Sequence, residues 1–100
     1  MAGIIEIVHF RLNAGSSEEE FLVEAEKASQ FLKSRQGFVR RHLSMGGDGV
    51  WIDHVEWTDI EAARAAAGAF MKVPALGAFI AAIDASSAVM GHNRLMLTAE

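Results

Sequence analysis

Residues 38–57 read FVRRHLSMGGDGVWIDHVEW, two strand-like runs on either side of a glycine-rich turn. The runs Phe38 to Met45 and Val50 to Trp57 are rich in β-branched and aromatic residues, which favour strands. Between them lies Gly46-Gly47-Asp48-Gly49, a four-residue connection of the kind that joins antiparallel neighbours. The stretch therefore predicts a β-hairpin in the middle of the chain.

A strand and a helix are predicted upstream of this hairpin. The segment Ile4 to Leu12 reads IIEIVHFRL and ends at the turn residues Asn13-Ala14-Gly15, so it predicts a first strand. Ser17, with Glu20 three residues later, has the capping-box pattern that begins a helix. Gly37 follows the last basic residues of that helix and predicts its end in a left-handed cap.

A second helix and a last strand are predicted downstream. Thr58 and Glu61 repeat the capping-box pattern before an alanine-rich segment with helical spacing of its apolar residues. Pro74 cannot continue this helix, yet it suits the first turn of another, so the second helix is predicted to be kinked or split. The residues from Val89 to Thr98 are the last predicted strand.

The order strand, helix, strand, strand, helix, strand predicts a single α+β domain over residues 1–100. This is the ferredoxin-like, split βαβ plan, with a four-stranded antiparallel sheet and the helices on one of its faces. The alternation of side chains puts apolar residues on both faces of the first and third strands. Because an apolar face is rarely left in water, we expect a homodimer through the helix-free face.

Composition excludes several classes of function. The net charge is −4 with nine scattered Lys and Arg residues, so no basic patch is available for nucleic acid. The absence of cysteine excludes disulfide frameworks, zinc ribbons and thiolate catalysis. No basic leader or long apolar run suggests export or a membrane partner, and a cytoplasmic location is expected.

Four segments together resemble a known group. IIEIVHFRL, QGFVRR, GDGVWIDHVEW and TDIEAARAA, in this order, resemble the dimeric α+β barrel superfamily, which includes the antibiotic-biosynthesis monooxygenase domains. The resemblance implies a dimer with facing sheets and a ligand cleft in each subunit between sheet and helices. It also implies a reaction without metal or flavin, in which a bound phenolic substrate, once deprotonated, reacts with oxygen itself.

The third predicted strand places a carboxylate on the core side. If Trp57 faces the helices, Asp53 shares its face, and a buried carboxylate needs a cation or hydrogen-bond donors. Arg40 is the predicted partner, because it lies with Phe38 and His42 on one face of the neighbouring strand. Both Arg40 and His42 are predicted pocket residues. A structural salt bridge beside the core and a ligand-orienting pair inside a cleft both fit this pattern.

The predicted catalytic base is His9 or His92, since neighbouring strands are expected to bring them together. All four histidines fall on predicted strands without the short helical spacing of metal ligands, so no metal is expected. Arg40 or Arg94 is the predicted anion-stabilising donor. Aromatic and methionine side chains are predicted to form the pocket walls, or else simply core: Phe31, Trp57, Phe70, Met71 and Phe79.

Three functions fit these residues, and none of them requires a cofactor. The first is a cofactor-independent monooxygenase-like enzyme that acts on a small aromatic or polyketide-like molecule. The second is a non-catalytic or sensory dimer that binds a small apolar ligand, and the third is an assembly module without a ligand. Haem degradation is disfavoured, because the superfamily members that perform it use a Trp and a His on the second helix, and residues 59–83 contain neither.

Overall fold

The structure is a computed structural model that describes residues 3–100. Its strands are β1 (Ile4–Phe10), β2 (Phe38–Met45), β3 (Trp51–Trp57) and β4 (Val89–Arg94). Its α-helices are α1 (Glu18–Lys33), α2 (Ile60–Phe70) and α3 (Gly77–Ala82), with short 3-10 turns at Pro74–Leu76 and Ala85–Ser87. The predicted order of elements is confirmed.

The four strands form one antiparallel sheet in the order β2-β3-β1-β4. On the central strand β1, the alternating residues Ile4, Glu6, Val8 and Phe10 lie opposite Trp57, Val55, Asp53 and Trp51 of β3. The apolar members of this face pack against buried residues of α1, α2 and α3. The α+β class and the ferredoxin-like plan, with the helices on one face, are therefore confirmed.

The second helical region is split, as Pro74 predicts. Helix α2 ends at Phe70, and the segment Pro74–Ala82 continues at an angle of 85° to it. In residues 3–100, no single helix is long and apolar enough to cross a membrane; this bent pair reaches the required length and composition only when its two parts are taken together. The bend folds α3 back over the sheet, where Leu76 and Phe79 are buried.

A β-bulge lies at the start of β2. The pairing with β3 passes from Phe38 opposite Trp57 to Arg40 opposite Glu56, so Val39 has no partner of its own across the ladder. An extra residue of this kind shifts the alternation of side chains by one position. The prediction that Arg40 and His42 share a face with Phe38 is therefore wrong, and both lie on the helix-free face.

Two helix boundaries differ from the predicted ones. Ser17 caps α1 as predicted, accepting a hydrogen bond from the Glu20 N–H at 3.2 Å, but the helix ends at Lys33. The N-cap of α2 is Asp59, whose Oδ1 accepts from the Ala62 N–H at 2.8 Å, and Thr58 makes no such bond. An aspartate is at least as good an N-cap as a threonine, which explains the shift by one residue.

Gly37 lies beyond the end of α1 and serves a close approach between segments. Its φ is +89°, and a Cβ built there would lie 2.5 Å from the Cβ of Ala62.

The strands at the chain ends are also shorter than predicted. Strand β1 stops at Phe10, after which Leu12 forms an isolated bridge with Ile83, and β4 stops at Arg94 instead of Thr98.

Candidate functional site

A cavity of about 350 Å³ lies between the sheet and the bent pair α2 and α3. The sheet strands and the helices each supply part of its wall, which is apolar except for two carboxylates, Glu6 and Asp53. The residues lining it on the sheet side include Val8, Phe10, Val55, Trp57 and Met90, and those on the helix side include Ala66, Ala67, Phe70, Phe79 and Ile80. Apolar walls with few polar groups are typical of small-molecule sites.

Five of the residues predicted for a pocket line this cavity: Asp53, Trp57, Phe70, Met71 and Phe79. Phe31 does not line it, but its ring packs edge-on against Phe70 at 5.6 Å between centroids and so supports the wall from behind. The helical spacing of the aromatics predicts these positions, because the stripe that faces the sheet also faces the cavity. Their part in ligand binding stays a prediction.

Asp53 is paired with Arg41, and the predicted pairing with Arg40 is wrong. Nε of Arg41 donates to Oδ1 of Asp53 at 2.9 Å, and Nη2 donates to Oδ2 at 2.7 Å. Arg40 lies on the opposite face, where its Nε is 3.4 Å from Oε1 of Glu56. The bulge at Val39 is the physical reason, since it turns Arg41 instead of Arg40 toward the helices.

Both N–H groups of Arg41 Nη1 are also used. Nη1 donates to the carbonyl of Ala25 and to Oγ of Ser29, both at 2.9 Å, and the guanidinium lies 5.6 Å from the ring centre of Phe79. Arg41 therefore joins β2, β3, α1 and α3 at one point. Asp53 is held rigidly at the cavity wall, with both of its oxygens engaged by a cation.

Glu6 is the second carboxylate of the cavity, and the sequence reasoning missed it. As a whole residue it is 8% exposed, so a carboxylate is buried on the core side of the sheet. Its Oε2 lies 2.9 Å from Nε2 of His92 on the neighbouring strand. The signal that predicts this position is its two-residue spacing from Ile4 and Val8, which places Glu6 on the core side of β1.

The prediction that His9 and His92 come together is wrong. His92 lies opposite Glu6, on the side of the sheet that faces the helices. His9 lies opposite Val89, at the other parity of the same strand pair, and so on the helix-free face. The two residues do lie on neighbouring strands. His9 is three positions after Glu6 on β1, and an odd number of positions along a strand places a side chain on the opposite face.

The other predicted polar residues lie outside the cavity. Arg94 is exposed on β4 opposite Ile4. His42 lies opposite His54 on the helix-free face, with 6.1 Å between the ring centres. Within the described part of the chain, no group of three or more His, Asp or Glu side chains is placed to hold a metal ion.

Trp57 is fully buried at the junction of the cavity and the core. Its ring stands at 84° to the ring of Phe38, with 5.9 Å between centroids. Its Nε1 has no hydrogen-bond partner among residues 3–100. A buried N–H without an acceptor costs about 1–3 kcal/mol, so a group that could accept this bond would stabilise the site.

Comparison with known proteins is informative at the level of the fold. No protein-family model and no curated protein matches the sequence. Among solved structures, the cofactor-independent oxygenase SnoaB from Streptomyces nogalater is 19% identical, with a TM-score of 0.67 over 100% of this chain and 97% of that one. The monooxygenase ActVA-Orf6 of Streptomyces coelicolor, solved with nanaomycin D, is 14% identical, with a TM-score of 0.74 over 99% and 92%.

A third neighbour, from Bordetella bronchiseptica, takes its name from the antibiotic biosynthesis monooxygenases; it is 16% identical, with a TM-score of 0.74 over 97% and 100% of the two chains. The chain has the fold of the antibiotic-biosynthesis monooxygenase-like proteins. Full coverage of both chains means that the whole domain shares this fold. At these identities the likeness concerns the fold alone, and the reaction has to be argued from the residues of the site.

Proposed function

We propose that this protein is a cofactor-independent monooxygenase-like enzyme that acts on a small aromatic or polyketide-like molecule. One observation carries the proposal: a cavity of about 350 Å³ between sheet and helices, with apolar walls and two carboxylates. A volume of this order is large enough for a small ring system. The neighbours described as a cofactor-independent oxygenase and as a monooxygenase with bound nanaomycin D support this substrate class.

The proposed reaction uses molecular oxygen as its co-reactant. Loss of the proton from a ring hydroxyl gives an electron-rich anion, which passes one electron to oxygen and then combines with the resulting superoxide at a ring carbon. The peroxide anion so formed takes up a proton equivalent to the one first lost. It then loses the hydrogen of that carbon as a proton and expels hydroxide; these two combine as water and leave a carbonyl. One oxygen atom stays in the quinone product, and the other leaves as water. Apolar walls favour these steps by excluding bulk water.

The residues of the cavity have distinct roles in this proposal. Of the two histidines predicted as the base, only His92 lies on the helix-facing side of the sheet, where it contacts Glu6 of the cavity wall. Trp57 contributes its fully buried ring to the wall between the cavity and the core. Phe70 and Phe79 supply flat apolar walls against which a ring can pack.

We propose a homodimer through the helix-free face of the sheet. Ile5, Ile7 and Ile52 share this face, and no helix of the described chain covers it. Sedimentation velocity is expected to find a dimer, and Ile7→Glu is expected to give a monomer, because a charge would be buried without a partner. Leu22→Glu, at an exposed position of α1, is the control and is expected to leave the dimer intact. A monomeric wild-type protein would contradict this proposal.

The enzymatic proposal is tested by oxygen uptake with a panel of naphthols and anthrones in the presence of a metal chelator. Mass spectrometry with heavy-isotope oxygen gas is expected to find one labelled oxygen in the product. Ala67→Leu, which places a larger side chain at the cavity wall, is expected to abolish uptake, whereas Ala65→Leu on the exposed side of α2 is expected to retain it.

The same experiment separates the enzyme from the alternative functions. Binding of these compounds without oxygen uptake would reject the oxygenase and favour a non-catalytic protein that binds a small ligand. If none of them binds and Ala67→Leu merely raises thermal stability, the cavity is not a ligand site and both functions are rejected.

A further inference from the structure

The two carboxylates of the cavity have different partners. Both oxygens of Asp53 accept hydrogen bonds from Arg41, a cation that is 5% exposed and is itself held by α1. Glu6 has a single contact, from its Oε2 to Nε2 of His92, and its Oε1 makes no hydrogen bond with any described residue. One carboxylate is thus neutralised in place, and the other retains an oxygen with capacity to accept a proton.

The contact between Glu6 and His92 also joins the interior to the surface. Glu6 lies on the central strand, and its side chain is 11% exposed. His92 lies on β4, at the edge of the sheet, and its side chain is 28% exposed. An imidazole can carry a proton on either ring nitrogen, so it suits transfer between a buried carboxylate and solvent.

We propose that Glu6 accepts the hydroxyl proton of a bound ligand and that His92 relays this proton to solvent. The inference rests on the proposed function, in which the ligand is a hydroxylated aromatic molecule. In this step the O–H bond of the ligand breaks and an O–H bond to Glu6 forms. The proton then passes to His92 and stays there while the ligand is an anion, so that a cation remains beside Glu6 until the proton leaves with water. One proton moves and no electron is transferred. Glu6 touches the ligand, whereas His92 acts through Glu6 and is a positioning residue.

The arrangement also restricts the class of ligand. A ligand that brings its own carboxylate would meet Glu6 in a cavity of low polarity, where like charges repel strongly. The Arg41 guanidinium compensates little, because four of its five N–H groups are engaged by Asp53, Ala25 and Ser29. The cavity is therefore suited to a neutral aromatic ligand that offers a hydroxyl donor to Glu6.

The test uses two probes with the full-length protein. 4-Nitrophenol absorbs visible light only as the phenolate, and its methyl ether 4-nitroanisole cannot ionise. In a buffer about one pH unit below the pKa of the free phenol, about a tenth of the free probe is ionised. We expect most of the phenol bound to the wild-type protein to be ionised, and we expect 4-nitroanisole to bind as well.

Three variants separate the roles. Glu6→Gln is expected to lower the ratio of ionised to neutral bound phenol by about tenfold or more, because an amide accepts no proton in this range. His92→Ala is expected to lower it as well, with recovery on addition of imidazole, which a merely structural role would not produce. Glu61→Gln, on the exposed side of α2, is the control with an unchanged ratio. Affinity for 4-nitroanisole is expected to stay the same in all of them.

The outcomes distinguish the inference from the proposed function. An unchanged ionised fraction in Glu6→Gln, or a loss in Asp53→Asn instead, would overturn the role of Glu6. A loss in His92→Ala that imidazole does not recover would overturn the relay. Failure of 4-nitroanisole to bind the wild-type protein would instead reject the cavity as a ligand site, and the proposed function with it.

Discussion

Arg41 and Asp53 form a two-point ion pair inside the domain, with Nε to Oδ1 at 2.9 Å and Nη2 to Oδ2 at 2.7 Å. The two side chains are only 5% and 13% exposed. The planar guanidinium of an arginine can donate one hydrogen bond to each oxygen of a carboxylate. The single ammonium group of a lysine cannot form such a two-point contact. The pair therefore fixes β2 against β3 beneath α1 and holds Asp53 at the wall of the cavity.

Loss of one member of this pair is expected to destabilise the protein strongly. Arg41→Met leaves Asp53 buried without a cation, and we expect a loss of about 3–5 kcal/mol in the free energy of unfolding. The double variant with Asp53→Leu is expected to recover much of this loss, since neither charge is then left unpaired. Urea denaturation measures all three proteins, and Arg41→Lys is a milder substitute if Arg41→Met does not fold. A double variant that is no more stable than Arg41→Met would contradict the buried pair.

Gly37 and Gly68 are expected to respond oppositely to alanine. Gly37→Ala adds a Cβ at a φ of +89° and in contact with Ala62, so we expect a loss of about 1–3 kcal/mol. Gly68 lies inside α2 with nothing within 4 Å of an added Cβ, and Gly68→Ala is expected to gain about 1 kcal/mol from helix propensity. Thermal denaturation of the two variants tests this. Unchanged stability of Gly37→Ala would mean that the backbone at Gly37 does not approach Ala62 closely.

The N-cap of α2 can be checked by two neighbouring substitutions. Asp59→Ala removes the acceptor of the Ala62 N–H, and we expect a loss of about 1 kcal/mol. Thr58→Ala is the matched control, with a smaller expected effect because Thr58 is exposed and does not cap the helix. A larger loss of stability in Thr58→Ala than in Asp59→Ala would instead support Thr58 as the N-cap, as the sequence pattern predicts.

Ligand charge is expected to control affinity for the cavity. 4-Nitrobenzoate should bind at least about tenfold more weakly than 4-nitrobenzamide, because its carboxylate meets Glu6 in a site of low dielectric. The difference should shrink in Glu6→Gln and persist in Glu61→Gln. Isothermal titration with the two compounds measures it, and equal affinity for both would exclude a charged Glu6 at the cavity wall.

The faces of β1 and β3 could be predicted from sequence, because each strand keeps an unbroken two-residue period. That period places Asp53 and Trp57 on the core side, where the cavity lies. It fails in β2, since the bulge at Val39 inserts one residue and exchanges the faces of Arg40 and Arg41. A bulge depends on pairing with the neighbouring strand, and nothing in the run FVRRHLSM marks it.

The candidate site was predicted only in part for a similar reason. Its apolar wall follows from helical spacing, which is a local property of the chain. The contact between Glu6 and His92 joins residues that are 86 positions apart, and it depends on the register of β1 with β4. The inward parity of Glu6 was visible in the sequence, but the identity of its partner requires the sheet.

The 85° bend between α2 and the segment Pro74–Ala82 has a consequence for how this domain can diversify. The carboxylates and their partners are fixed by strand register, whereas the roof over them is formed by two short helices and the few residues that connect them. Insertions or substitutions in that connection would change the size of the cavity while leaving Glu6 and Asp53 in place. The volume of the cavity and the placement of its carboxylates are thus encoded in separate stretches of chain, and each can evolve without the other.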